Sequence, residues 1–165
     1  MAVKSLIETV TVGAGGAATI EFTDIPEDGS DLQVVLSGRS TDGSNYLGLE
    51  FNNDTGSNYN YKLLSGTGTA ALSATITSGS FLRIYSGDSD YTANTFGNSS
   101  AYISNYTSNS AKSYSTDAVN ENNSTAGIQN LGAGSWTGTS AITSLKIYGA
   151  IAEHSTASLY KIKYD

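Results

Sequence analysis

Apolar and polar residues alternate with a period of two over short stretches of this chain, which is the mark of strands that bury one face. Leu6-Ile7-Glu8-Thr9-Val10-Thr11-Val12 reads as a first strand, stopped by Gly13-Ala14-Gly15-Gly16. Ala18, Ile20 and Phe22 then alternate with Thr19, Glu21 and Thr23, so the first set is expected to face inward. The turn Asp24-Ile25-Pro26-Glu27-Asp28-Gly29-Ser30 holds the only proline, whose fixed φ suits that position.

Leu32, Val34 and Leu36 form the next inward face, and Leu47, Leu49 and Phe51 alternate with Tyr46, Gly48 and Glu50. Asn52-Asn53-Asp54-Thr55-Gly56 reads as a hairpin turn, because Asn, Asp and Gly tolerate positive φ. Tyr59, Tyr61 and Leu63 carry the return strand. Further strands are expected over 81–85, 96–104, 112–118, 141–148 and 158–164. No window shows the 3.6-residue periodicity of a helix, and Ser, Thr, Asn, Gly and Tyr outnumber the strong helix formers.

Nine or ten short strands with frequent turns predict an all-β fold: an antiparallel, jelly-roll-like β-sandwich forming one domain over residues 1–165. Its inward residues should include Ile20, Phe22, Leu32, Val34, Leu36, Leu49, Phe51, Ile103, Leu145 and Ile147. A sandwich of this size buries about 70% of its extended-chain surface, so it needs no covalent staple. The absence of cysteine is therefore no obstacle, and it leaves the compartment open.

Charge narrows the function. Fifteen acidic and eight basic residues give a formal net charge of −7, and Lys4, Arg39, Lys62, Arg83, Lys112, Lys146, Lys161 and Lys163 are scattered. Such a chain lacks the basic patch that binds phosphate backbones, so no nucleic acid partner is expected. No apolar run approaches the ~20 residues of a membrane helix, and no apolar segment of a signal peptide follows Lys4-Ser5. The expectation is a protein made in the cytosol, with no membrane partner; assembly into a virion would be compatible with that.

Candidate chemistry is sparse. The single histidine, His154, falls in a polar turn before the last strand, with Glu153 adjacent in sequence and expected to point elsewhere. Glu50, Asp54, Asp88, Asp90, Asp117 and Glu121 are the carboxylates available for paired acid–base work, but most lie at turns and Glu50 alternates outward. Asp88-Ser89-Asp90 and Asn52-Asn53-Asp54 offer oxygen ligands without the spacing of a calcium loop. Five Asn-x-Ser/Thr sequons begin at Asn53, Asn98, Asn105, Asn122 and Asn123, as expected by chance in so Asn-, Ser- and Thr-rich a chain. We therefore assign no catalytic, cofactor-binding or metal residues, expect no cofactor, and expect no enzyme activity. Tyrosine is the unusual excess, with 11 copies beside one tryptophan, Trp136. Such rings serve strand packing, protein interfaces or sugar stacking, and a glycan ligand stays open at this point.

Several phrases carry a resemblance. They are Phe22-Thr23-Asp24-Ile25-Pro26, Leu32-Gln33-Val34-Val35-Leu36-Ser37-Gly38-Arg39-Ser40 and Leu49-Glu50-Phe51-Asn52-Asn53-Asp54-Thr55-Gly56-Ser57-Asn58-Tyr59. Ala93-Asn94-Thr95-Phe96-Gly97, Tyr102-Ile103-Ser104-Asn105-Tyr106-Thr107, Gly132-Ala133-Gly134-Ser135-Trp136 and Ser158-Leu159-Tyr160-Lys161-Ile162 continue it. Together they resemble small β-sandwich structural proteins of tailed bacteriophages. The resemblance implies a virion component without catalytic residues. The first expectation is a capsid decoration (cement) protein, a homotrimer bound to the major capsid protein or another virion protein. A head- or tail-fibre, receptor-binding domain is the alternative within the virion. A carbohydrate-binding module, resting on tyrosines and Trp136, is the alternative outside it.

Overall fold

The computed structural model describes residues 1–121 and 127–164. In chain order its strands are β1 (Ala2–Thr11), β2 (Ala17–Phe22), β3 (Asp31–Gly38), β4 (Tyr46–Phe51), β5 (Tyr59–Gly66), β6 (Ala71–Gly79), β7 (Leu82–Tyr85), β8 (Gly97–Ile103), β9 (Lys112–Asn120), β10 (Ile128–Trp136), β11 (Leu145–Ile151) and β12 (Thr156–Tyr164). All pairings between these strands are antiparallel. Two sheets result, one of eight strands in the order β1-β12-β3-β8-β9-β10-β5-β6 and one of four in the order β2-β11-β4-β7.

The topology is a jelly roll with two insertions. Without β5–β6 and β9–β10, the sheet β1-β12-β3-β8 faces β2-β11-β4-β7, and the chain crosses between sheets at every step except β4 to β7. That alternation is how a jelly roll closes two Greek keys around one core. The inserted hairpins both join the eight-stranded sheet beyond β8 and form a four-stranded extension, β9-β10-β5-β6. The edge strand β7 lies against β8, β9, β10 and β5, so the extension wraps the open side of the smaller sheet.

All ten expected core residues are buried. Each fully buried aliphatic or aromatic side chain contributes roughly 1.5–3 kcal/mol by leaving water. Ala18 departs from the expectation and is exposed. The β2–β11 register shifts between Tyr148 and Ile151, and position 18 falls in the gap, away from the opposing sheet.

The strand number, twelve among the described residues, exceeds the nine or ten read from sequence by β6 and β10. Neither carries the bulky alternation that announces a strand. β6 is built mainly of Ala, Ser and Thr, while β10 contains Gly132 and Gly134. Those glycines answer to close neighbours: a Cβ at 132 would lie 2.8 Å from Thr116 Cγ2, and one at 134 would lie 2.7 Å from Tyr61 Cβ.

Candidate functional site

His154 is where sequence placed it, in the turn joining β11 to β12, with a φ of +70°. Its amide donates to the Val12 carbonyl at 2.9 Å. Glu153 does not point away as expected. Its carboxylate lies 3.5 Å from His154 Nε2, with the two side chains 44% and 75% exposed. Water solvates both, so the pair carries little energy.

Glu50 is a correction of another kind. It does face away from the core of the smaller sheet, yet it is only 4% exposed. Lys146, its cross-strand partner on β11, reaches it at 2.6 Å, and the Tyr148 phenol is raised by burial and, secondarily, by this carboxylate. Glu50, a lysine and a phenol thus form a structural cluster on the outer sheet face.

Asp54 is engaged by the fold around it. It accepts hydrogen bonds from Trp136 Nε1 at 2.6 Å, from Asn58 Nδ2 at 2.9 and 3.1 Å, and from the Gly56 amide at 2.9 Å. The indole bond, the largest cause, holds this carboxyl below its ordinary value of 3.8. Trp136 itself is 2% exposed and packs between Phe51, at 5.7 Å between ring centroids, and Tyr59, at 6.5 Å. A ring so enclosed has no face to offer a sugar, which removes Trp136 from the carbohydrate reading.

In the two candidate cation loops several oxygens are taken by the fold. Asn52 Nδ2 donates to the Ala141 carbonyl at 2.7 Å, and its Oδ1 accepts from the amides of Thr143 and Ser144. In the β7–β8 loop, Asp88 Oδ1 accepts from the Asp90 amide at 3.0 Å, as in an Asx turn. The Arg39 guanidinium donates to the carbonyls of Ser89, Tyr91, Thr92 and Thr95 at 2.9–3.1 Å. An arginine thus sits where calcium would need those carbonyls. Among the described residues, no group of three or more His, Cys, Asp or Glu side chains is placed to hold a metal. Asp117 faces outward on β9, and Glu121 follows that strand, also exposed. The sequons at Asn53, Asn98 and Asn105 are exposed; those at Asn122 and Asn123 lie outside the described residues.

Five of the eleven tyrosines, Tyr59, Tyr61, Tyr85, Tyr106 and Tyr114, are buried. Three of the five hydroxyls, those of Tyr59, Tyr106 and Tyr114, bond to the backbone, whereas that of Tyr61 has no hydrogen-bond partner among the described residues. Tyr114 donates to the Arg83 carbonyl of β7, Tyr106 donates to the Pro26 carbonyl, and Tyr59 accepts from the Phe51 amide at 3.1 Å. Burial raises all five phenols above their ordinary value of 10.0. Lys112, 1% exposed, is a buried cation held by the carbonyls of Ser108, Ser110 and Ser140 at 2.5–3.0 Å. Burial lowers its pKa.

Two surface features remain. On the outer face of the smaller sheet, Tyr46 stacks with Phe81 at 6.5 Å and Phe81 meets Tyr148 edge-on at 5.8 Å, while Arg83 Cζ lies 3.9 Å from the Tyr46 ring centre. All three rings are half-buried. The second feature lies on the extension. Leu64, Leu72, Val119 and Leu131 are exposed by 61%, 57%, 43% and 57%. Leu64 on β5 and Leu131 on β10 are register partners and share the outer face with Asp117 on β9. With Leu72 and Val119 they line an open depression of about 520 Å³. Sequence reading missed this surface. The one available signal was Leu63-Leu64, since two consecutive apolar residues in a strand cannot both face inward.

No helix among the described residues is long and apolar enough to cross a membrane. No family model matches the chain. No curated protein matches it either. Among solved structures, the chain is similar to the CBM2 module of the evolved Dit of Lactobacillus casei BL23 phage J-1. The identity is 12% over 99% of this chain and 70% of that one, with a TM-score of 0.18. A likeness of that size carries no argument about fold or function.

Proposed function

We propose that this protein is a non-catalytic structural component of a bacteriophage particle, a capsid decoration protein that binds the head surface as a homo-oligomer. The observation that carries this reading is a group of exposed apolar side chains on the extension; Val3 and Leu6, exposed as well, lie apart on the β1 edge. Leu64, Leu72, Val119 and Leu131 gather on the extension, while the candidate site residues His154, Glu50 and Asp54 are either solvated or engaged in the fold. An exposed apolar group rimmed by polar residues marks a protein contact. The phrase-by-phrase resemblance to phage structural proteins supports the choice of partner. A capsid bearing equivalent sites around its symmetry axes would hold an oligomer by avidity, with modest contact at each site.

The test is co-sedimentation of the purified protein with phage heads stripped of their decoration. Saturable binding is expected, with Leu131→Lys reducing it at least tenfold while the β-sheet spectrum stays unchanged. Binding to tails alone would make it a fibre domain instead.

A second reading, a carbohydrate-binding module, is favoured by one feature: the half-buried Tyr46, Phe81 and Tyr148 rings beside Arg83. Here the expected result is binding to a host-surface polysaccharide that Phe81→Ala abolishes. That outcome, together with indifference to phage heads, would displace the decoration assignment.

A further inference from the structure

We propose that the free edge of β6 pairs with β6 of a second copy of this chain, antiparallel, so that the eight-stranded sheet continues across a two-fold axis. This is independent of which particle the protein decorates.

The two ends of that sheet are built differently. β1 closes one end; it carries Lys4 and Glu8, and its register against β12 shifts between Leu6 and Glu8. Charge and a bulge are devices by which natural sheets keep an edge from recruiting another strand. β6 closes the other end and, among the described residues, pairs only with β5. Its nine residues, Ala71–Gly79, include no charge and no proline. Its register with β5 is unbroken from Ala71 to Ile76, and the one irregularity lies beyond, toward Gly79. The unpaired backbone groups of such an edge are a template for a further strand.

The occupant follows from self-complementarity. Antiparallel pairing of a strand with its own copy sets residues of that strand opposite one another. In β6 these are only Ala, Leu, Ser, Thr, Ile and Gly. A chain with a net charge of −7 repels itself over most of its surface, yet in β5, β6 and β10 together the only charged residue is Lys62. The region is the one where two copies meet without like charges facing each other. Thr and Ser pairs across strands add favourable contacts.

Burial leaves both edges open, so charge and register are what single out β6. Along β6 most residues are exposed on both faces, and Leu72 keeps 57% of its surface in water. A nine-residue strand is about 30 Å long, so pairing along it covers several hundred Å² per copy, below the ~800 Å² per partner of a standard interface. A dimer that dissociates on dilution is therefore expected. The phage resemblance implies three copies, whereas this edge argues for two in free solution.

Sedimentation velocity of the full-length protein across a dilution series decides the matter. The expected species at high concentration has twice the 17.1 kDa chain mass. The double variant Ser73→Lys, Thr75→Lys should weaken the dimer at least tenfold with its β-sheet spectrum intact. Thr9→Lys, on the opposite edge, should leave it unchanged. Hydrogen exchange provides a second reading: β6 amides should be protected at high concentration and exchange rapidly at low. A monomer at every concentration, a trimer, or an oligomer indifferent to the β6 lysines would each overturn the proposal. No capsid enters these measurements, so their failure would leave the head-binding reading standing.

Discussion

The eight jelly-roll strands and the four-stranded extension bury their residues by different means. Between the two sheets, Leu32, Val34, Leu36, Leu49, Leu82, Ile84, Ile103 and Ile147 pack as a purely apolar layer with no polar tip to satisfy. The extension contributes Tyr59, Tyr61, Tyr114 and Trp136 to the interior and leaves Leu64 and Leu131 outside. The reason lies in what each region must cover. Inner strands have both edges paired, whereas β7 is an outer strand of the smaller sheet, and its free edge lies against the extension. Tyr114, reaching from β9, donates to the β7 carbonyl of Arg83. An aromatic side chain with a polar tip closes such an edge, covering apolar surface and satisfying the backbone at once. Leucine would cover the apolar surface but leave that carbonyl unsatisfied, which explains a tyrosine at position 114.

Alkaline titration should strike the two regions unequally, and its effect is the largest expected. Unfolded tyrosine ionises near 10.0, while burial raises Tyr59, Tyr61 and Tyr114 well above it. Above pH 10 the unfolded chain therefore loses protons first. The stability these phenols contribute is fully present below pH 10 and is lost as pH rises further. In the jelly roll Tyr85 is buried and raised too, while Tyr102 and Tyr148 are raised but half-exposed. The extension, with three buried phenols, should therefore open first, Trp136 fluorescence changing ahead of the β-sheet spectrum with a tyrosinate absorbance step. Smooth ionisation of all eleven tyrosines in an intact fold would break the comparison.

Within the apolar layer, Phe51→Ala should cost about 3–5 kcal/mol in denaturant unfolding, because its surroundings cannot collapse into the space. At the junction, Asp54→Ala strips the partner from the Trp136 indole, the Asn58 amide and the Gly56 amide. Left unsatisfied, such groups cost about 1–3 kcal/mol, and a loss below 0.5 kcal/mol would mean that water replaces the carboxylate. On the outer face of the extension, Leu131→Ser should change stability by no more than about 0.5 kcal/mol in the monomer. A larger loss there would show that this leucine is covered within one copy.

Sequence legibility followed the same division. β3 and β4 could be read because Leu32-Val34-Leu36 and Leu47-Leu49-Phe51 obey period-two burial with bulky side chains. All ten core residues named from sequence are buried for that reason. β6 and β10 were not legible, since small residues and glycines are set by their neighbours, such as Tyr61 against Gly134, and long-range neighbours are invisible in a local pattern. Trp136 as a sugar platform failed on the same ground. Its enclosure by Phe51, Tyr59 and Asp54 joins residues 77 to 85 positions apart. The outward leucines were hidden by the assumption that leucine marks an inner face.

The two cations that brace loops, Arg39 and Lys112, bind neutral carbonyl oxygens, while Lys146–Glu50 and Lys161–Asp28 are lysine–carboxylate pairs. Dissolved ions weaken attraction between opposite charges at the surface, and at 1 M the screening length falls to about 3 Å. They do not screen away short hydrogen bonds to neutral carbonyls that are partly buried. The loops around 88–96 and 108–110 are thus fastened by contacts that brine does not loosen, whereas Lys161–Asp28, with the carboxylate 61% exposed, gives way first.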